Sequence, residues 1–312
     1  MSLVERALKK LQEDRKPDAE GLTPVAPVVV AKVVREPGGA ATGTDVAYDR
    51  VEPPRKRVSI SRTALREAGV VPPPDRERLI ADQYRRIKRA LIGNLTGKVE
   101  PPIQHPRLIM MTSALSGDGK TYTSVNLALS LAGEKDRSCL LVDGDVAKPH
   151  IGDLFAVQEE PGLLDALQDD SVEIESLILP TDVPGLSILP AGKRCEQATE
   201  LLASERMAQV LQRLETRDPR RIVLIDSPPI LLSSEARVLL NIMGQIVFVV
   251  RAGVTPKAAV LEALSQIEEG RYVGLILNQS EAAQASAYYG YGYGYGAAYG
   301  AERDPGTGTG KK

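Results

Sequence analysis

The feature that most constrains this chain is a junction at residues 107–132. An apolar run, RLIMMTS, leads into Ala114-x-x-x-x-Gly119-Lys120-Thr121, and the helical pattern YTSVNLALSLA follows at once. A short continuous apolar run bounded by turn signals reads as a buried strand. A glycine-rich turn between strand and helix lets backbone N–H groups point inward at the oxygens of an anion, and the helix dipole favours negative charge there. Gly117 and Gly119 supply that curl, while Ala114 stands where the phosphate-loop pattern usually begins with glycine. In this pattern the lysine, Lys120, neutralises the β- and γ-phosphates, and the hydroxyl of Thr121 is a ligand for Mg²⁺. The expected ATP-contacting set is Ala114, Ser116, Gly117, Asp118, Gly119, Lys120, Thr121 and Tyr122. A lone Gly-Lys-Thr is compatible with a surface turn, and the strand–loop–helix context is what argues against one.

Four more apolar runs follow: SCLLVDGD, RIVLIDSPP, QIVFVV and VGLILN. Helical patterns lie near 120–133, 199–217, 233–242 and 255–269, with a short pair of apolar runs around 175–190. Continuous apolar strands separated by helices indicate an α/β fold, a mostly parallel sheet covered by helices on both faces. The pattern places one such domain at about 75–280. Its first helix is expected after Asp75, where Pro72-Pro73-Pro74 supplies a start signal, with Leu79, Ile80, Tyr84, Ile87, Leu91 and Leu95 along one face.

Two of the runs end in carboxylates. Asp143 and Asp145 occupy alternate positions of LLVDGDV, which puts both on one side if the chain stays extended. Two uncompensated carboxylates repel, so a nearby cation is their natural stabiliser. Asp226 ends RIVLID, where a phosphate-loop ATPase needs a carboxylate in the Mg²⁺ shell. The expected metal set is Thr121, Asp226 and one carboxylate of the Asp143/Asp145 pair, Asp145 in the first instance, with the choice within the pair left open. His105 and His150 each sit beside proline, where a loop or packing role is expected.

Both ends differ from this domain. An amphipathic helix is expected at the start, with Leu3, Val4, Ala7, Leu8 and Leu11 at helical spacing. Residues 15–57 carry Pro, Gly, Val and Ala without sustained periodicity and close on Arg55-Lys56-Arg57, which reads as a disordered tether. Residues 282–300 read AAQASAYYGYGYGYGAAYG, so Tyr288, Tyr289, Tyr291, Tyr293, Tyr295 and Tyr299 alternate largely with glycine. Glycine at every second place removes a strand's packing face and raises its ordering entropy, so a flexible tail is expected.

Composition narrows the function classes. Lys and Arg total 39 against 41 Asp and Glu, a net charge of −2, which argues against a nucleic-acid binder held by phosphate neutralisation. The balance is uneven: residues 1–106 carry 20 basic and 14 acidic side chains, the remainder 19 and 27. Cys139 and Cys195 are too few and too far apart for a zinc knuckle or disulfide framework. With no 18-residue apolar run, a soluble cytoplasmic protein is expected.

With these motifs in hand, the chain resembles the bacterial tyrosine autokinases (BY-kinases) of exopolysaccharide synthesis, which are P-loop NTPases. SALSGDGKTYTSVNLALSLA is similar to their Walker A, LLVDGDVAKP to their Walker A′ and IVLIDSPP to their Walker B. GLLDAL, LSILPAGK, TELLAS and the tyrosine-rich end also match, and the likeness spans about residues 75–300. The opening SLVERALKKL and the DVAKP variant are most similar to autokinases of exosortase-linked (XrtA) operons. Two departures stand out. Ala147 and Lys148 replace an arginine after the second Walker A′ aspartate, and lysine lacks the bidentate fork. The family's subunit-contact motif appears as Asp82-x-x-Arg85-x-x-Lys88, which on its own reads as an ordinary charged helix face.

The resemblance implies three regions: an N-terminal helix and disordered linker (1–57), a P-loop tyrosine kinase domain (58–281) and an autophosphorylation tail (282–312). It implies ATP and Mg²⁺, with Lys120, Asp143 and Asp145 in catalysis. Either Asp143 or Asp145 is the base for the phenolic proton, the other supporting Mg²⁺. By analogy with related ATPases, Asn278 contacts the adenine. The six tail tyrosines are the phosphoacceptors. Asp82, Arg85 and Lys88 imply a ring-like homo-oligomer. The expected partners are a separate membrane polysaccharide co-polymerase as activator, which places the protein beside the inner membrane, and a tyrosine phosphatase, with no nucleic acid. The competing readings are a positioning ATPase of the ParA/MinD type and a nucleotide-gated scaffold without kinase activity. Leu115 stands where positioning ATPases carry a signature lysine, which counts against the first.

Overall fold

The computed structural model describes the backbone of residues 31–34, and residues 56–96 and 102–280 in full. The expected opening helix and the tyrosine tail lie outside those residues. Strands β1 (Ala31–Val34) and β2 (Arg57–Ile60) pair antiparallel, Ala31 opposite Ile60 and Val34 opposite Arg57. The expected disordered linker is thus interrupted by one strand, and its last residue, Arg57, opens another. The β-branched pair Val33-Val34 favours extended backbone, and the pairing satisfies ladder groups that residues 31–34 could not satisfy alone.

The main sheet holds β3 (Leu108–Ser113), β4 (Ser138–Asp143), β5 (Leu179–Pro180), β6 (Leu186–Leu189), β7 (Arg221–Asp226), β8 (Gln245–Arg251) and β9 (Tyr272–Asn278). Their order is β5-β6-β4-β7-β3-β8-β9, and every pairing is parallel except that of β5 with β6. This is the α/β, mostly parallel architecture expected, and each of the five apolar runs forms a strand.

Alternation within the strands builds two cores. Leu108 and Met110 face one side of β3 with Leu140, Val142, Val223, Ile225, Ile246 and Phe248 from its neighbours. Ile109 and Met111 face the other with Cys139, Leu141, Ile222, Leu224, Val247 and Val249. Among the described residues, nine helices and one 3₁₀ turn cover these faces. On the second face lie α1 (Arg62–Glu67), α2 (Pro74–Asn94), α3 (Lys120–Ala132) and α4 (His150–Leu154). On the first lie α5 (Leu163–Gln168), α6 (Ala198–Leu202), α7 (Glu205–Arg217), α8 (Ser234–Leu240), α9 (Lys257–Ser265) and a 3₁₀ turn, Ile174–Leu177.

The helix at 199–217 expected from periodicity is two helices. Ser204 breaks it, because its hydroxyl accepts the Met207 N–H and so caps α7. Helix α2 starts at Pro74, with Asp75 and Glu77 favourably placed in its first turn. Of its expected apolar stripe, Tyr84 and Leu91 are buried, while Lys88 and Asn94 share the seam. The short α4 and α5 span less than two turns, too few residues for periodicity to reveal.

Gln245, fully buried at the start of β8, ties α2 to the sheet. Its Nε2 donates to the carbonyls of Pro106 (2.6 Å) and Leu91 (3.3 Å), and its Oε1 accepts from Asn94 Nδ2 at 2.7 Å. Gln245→Leu strands these partners away from water and is expected to cost about 2–3 kcal/mol. Urea denaturation measures this; an unchanged midpoint would contradict the assignment.

Candidate functional site

Parallel strands deliver the loops that follow them to one edge of the sheet, the edge where α/β proteins bind ligands. Here β3 runs between β7 and β8, so the loop after β3 is flanked by the ends of both. Gly117 (φ +86°) and Gly119 (φ +93°) adopt left-handed backbone within that loop, which a side chain would strain. Gly119 precedes α3, so the loop closes on a helix N-terminus, and Lys120 is its first residue. Lys120 is buried, and desolvation lowers its pKa against the opposing influence of Asp226, Asp145 and Asp118.

Asp226 ends β7 directly beneath this helix. Its Oδ2 accepts the Thr121 hydroxyl at 2.7 Å and its Oδ1 accepts the Ser124 hydroxyl at 2.8 Å. Burial raises its pKa, and those two hydrogen bonds oppose the shift. Ser124 was not expected from the sequence. Its signal is helical spacing alone, three residues after Thr121 and so on the same helix face.

Asp143 ends β4, in register with Asp226. It is fully buried: Oδ2 accepts the Gly152 N–H at 3.0 Å, and Oδ1 has no partner among the described residues. Burial first, then the charge of Asp226, pushes its pKa well above the usual carboxylate range. Asp145 lies past the strand end, part-exposed, where its Oδ1 accepts the Lys148 N–H at 3.0 Å. Its pKa is also raised by burial, against Lys120, His150 and Lys148. The strand stops at Asp143 rather than running on to Asp145, and the two carboxylates therefore occupy different environments.

Gly144 between them explains the spacing. Its N–H donates to the Asp226 carbonyl at 2.8 Å, and a Cβ there would meet Ile225 Cγ2 at 2.6 Å and the Asp226 carbonyl at 3.0 Å. The backbone after β4 is pressed against β7, which sets Asp143 and Asp145 beside Asp226.

Other candidates are also placed. Asn278 ends β9 and its Nδ2 donates to the Asp118 carbonyl at 3.0 Å, so it braces the loop itself. Tyr122 is half-buried on α3, and desolvation raises its pKa. Ala147 and Lys148 are exposed. His150 opens α4 near Asp145, whereas His105 precedes β3 at the opposite edge, its Nδ1 2.7 Å from Glu215 Oε2. On α2, Asp82 and Arg85 form an ion pair on an accessible face. Lys88 is buried; its ammonium donates to the Ser130 carbonyl at 2.9 Å and pairs with Glu134 at 2.6 Å.

Among the described residues no group of three or more His, Cys, Asp or Glu side chains could hold a metal. The hydroxyl–carboxylate contact of Thr121 with Asp226, next to two left-handed glycines and a buried lysine at a helix N-terminus, fits a nucleotide with its Mg²⁺. No helix among the described residues is long and apolar enough to cross a membrane.

Fold and site together define a phosphate-loop nucleotide-binding α/β protein. The AAA domain family model matches residues 106–268. The chain is 28% identical over 231 residues to the tyrosine-protein kinase YwqD of Bacillus subtilis, covering 73% of this chain and 93% of YwqD. It is 30% identical over 213 residues to the putative tyrosine-protein kinase CapB of Staphylococcus aureus, covering 67% of this chain and 89% of CapB. The crystal structure of the VpsO kinase domain superposes with a TM-score of 0.54 at 30% identity, over 67% of this chain and all of that domain. Several longer curated relatives are matched over only 21% to 25% of their length. The chain belongs to the bacterial tyrosine-protein kinase family.

Proposed function

We propose that this chain is an ATP-dependent protein-tyrosine autokinase that phosphorylates its own tyrosine cluster at Tyr288, Tyr289, Tyr291, Tyr293, Tyr295 and Tyr299. The observation that carries the reading is Thr121 hydrogen-bonded to Asp226, with Lys120 above them and Asp143 and Asp145 at the same sheet edge. Inward-facing N–H groups of the loop and Lys120 bind the phosphates and neutralise the charge that spreads during phosphoryl transfer. Mg²⁺, held by Thr121 and Asp226, would supply electrostatic stabilisation of the transferred phosphoryl group. Asp145 is the carboxylate an entering phenol meets, because it reaches solvent while Asp143 is fully buried. It takes the phenolic proton as the tyrosine oxygen bonds phosphorus and ADP leaves. Asp143 lies behind it, fixed by Gly152. Asn278 stays beside the loop, where the adenine contact is assigned.

The same proposal extends to assembly. A glycine-rich tail can enter a neighbouring subunit's site in extended form, and a ring of copies would present such neighbours. Asp82 and Arg85 are accessible for that contact, whereas Lys88 is committed to joining α2 with α3. Each phosphate adds about −1.5 to −2 charge, so a modified tail leaves its site and the ring loosens. We assign the protein to the cytoplasmic side of the inner membrane, beside a membrane co-polymerase that activates it and a tyrosine phosphatase that resets it. Its output is control of exopolysaccharide polymerisation and export, in the manner of the exosortase-linked autokinases.

Mass spectrometry after incubation with ATP and Mg²⁺ tests the reading. The full chain is expected to carry phosphotyrosine concentrated at 288–299, and a chain ending at Ala287 to lose nearly all of it while still binding nucleotide. ATP hydrolysis with every tyrosine unmodified, even beside the co-polymerase's cytoplasmic segment, would favour a positioning ATPase or scaffold instead.

A further inference from the structure

A carboxylate in the middle of a phosphate loop is an electrostatic anomaly, since it repels the anion the loop is built to hold. Asp118 is that residue, and it is only 3% exposed. Its contacts give it another role. Asp118 Oδ2 accepts the Leu115 N–H at 3.1 Å, across the loop's own turn. Its Oδ1 accepts the Thr255 hydroxyl at 2.7 Å, and its carbonyl accepts Asn278 Nδ2 at 3.0 Å. Thr255 is itself held: its Oγ1 accepts the Arg251 N–H at 2.9 Å, its N–H donates to the Arg251 carbonyl at 3.0 Å, and it is buried. Gly253, at φ +68°, permits the tight turn that returns Thr255 to the end of β8. Attachments from the ends of β3, β8 and β9 thus converge on one loop residue.

We propose that Asp118 and Thr255 are positioning residues that hold the phosphate loop in its anion-cradling shape before any nucleotide arrives. Two left-handed glycines give this loop many alternative shapes, and ordering them on binding would weaken affinity. A charge-assisted hydrogen bond between two buried groups, one of them fixed to a strand end, removes those alternatives in advance. Neither side chain need touch the nucleotide. The inference rests on the nucleotide-binding reading of Lys120 and Thr121 but not on tyrosine as acceptor.

The test uses the full chain with Thr255→Val, which keeps the shape and loses the hydroxyl, and Thr255→Ser, which keeps the hydroxyl. Affinity is measured with a fluorescent ADP analogue and Mg²⁺, and hydrogen exchange of the Leu115 amide without nucleotide. Thr255→Val is expected to weaken ADP binding about 10-fold and to expose the Leu115 amide, with Thr255→Ser restoring both. KM for ATP should rise in parallel while kcat for tail phosphorylation stays within about 2-fold, the signature of lost uniform binding. If Thr255→Val lowers the melting temperature sharply, Thr255→Ala replaces it and the same readouts decide. A folded variant with wild-type affinity and wild-type Leu115 protection would overturn the proposal, as would a serine variant no better than valine. Wild-type chain that binds ADP yet modifies no tyrosine would remove the kinase reading and leave this one standing. Failure of the wild type to bind ADP at all would overturn both.

Discussion

Lys120→Met is expected to reduce ATP-dependent tail phosphotyrosine by about 100- to 1,000-fold, the usual loss when a buried, preorganised charge aimed at the transition state is removed. Methionine matches the unbranched stem, so packing at the start of α3 is kept while the ammonium is lost. Desolvation already opposes the charged form of Lys120, so the folded chain gives up little stability with it. Phosphotyrosine analysis beside a thermal melt separates the two effects: modification collapses while the melting temperature holds. Tail phosphotyrosine at the wild-type level would show that phosphate neutralisation lies elsewhere and would sink the assignment of the loop.

Gly144→Ala is the second large effect, and it acts without touching any functional group. A Cβ at this position would lie 2.6 Å from Ile225 Cγ2 and 3.0 Å from the Asp226 carbonyl. β4's end must then move off β7, separating Asp143 and Asp145 from Asp226 and Thr121. Overpacking of this kind costs about 1–3 kcal/mol. Displacement of catalytic groups by about 1 Å costs about 100-fold in rate, so kcat is expected to fall by that order. Denaturant unfolding and steady-state kinetics on one preparation read both quantities. A variant with unaltered kcat would mean that the spacing of the three aspartates is not what the chemistry depends on.

How much of this was legible beforehand depended on whether the information was local. The junction at 107–132 was readable because a buried strand, a glycine turn and a helix are each specified by neighbouring residues. The central strands were readable because helices on both faces force long apolar stretches on them, as in LIMM and VFVV. Edge elements were less so: Leu179–Pro180 is two residues long, and α4 and α5 are too short to show a period. The break at Ser204 was readable in principle, since a serine cap precedes α7, but the apolar spacing of Leu201, Leu202, Met207 and Val210 runs across it. Lys88 shows the reverse failure. As sequence it belongs to a charged face; in the fold its ammonium is buried between Ser130 and Glu134.

The site divides in the same way. Lys120, Thr121, Asp143, Asp145 and Asp226 were nameable because each chemistry-bearing residue ends a strand, follows a strand end within two residues or opens a helix, and strand ends of a parallel sheet share an edge. Their inequality was not nameable. Whether Asp143 or Asp145 meets solvent depends on where β4 stops and on Gly152 arriving from α4 to bind Asp143. Ser124 and Thr255 were missed because a hydroxyl is singled out only by its partner: helical spacing was the sole signal for Ser124, and Thr255 is 137 residues from Asp118. The sequence by itself determined the class of fold and the strand–glycine turn–helix motif at its centre, because periodicity and turn chemistry act between neighbours in the chain. Only the tertiary structure decided which carboxylate is buried, which lysine is spent on packing and what braces the loop, because burial and hydrogen-bond partnership are set by strand order.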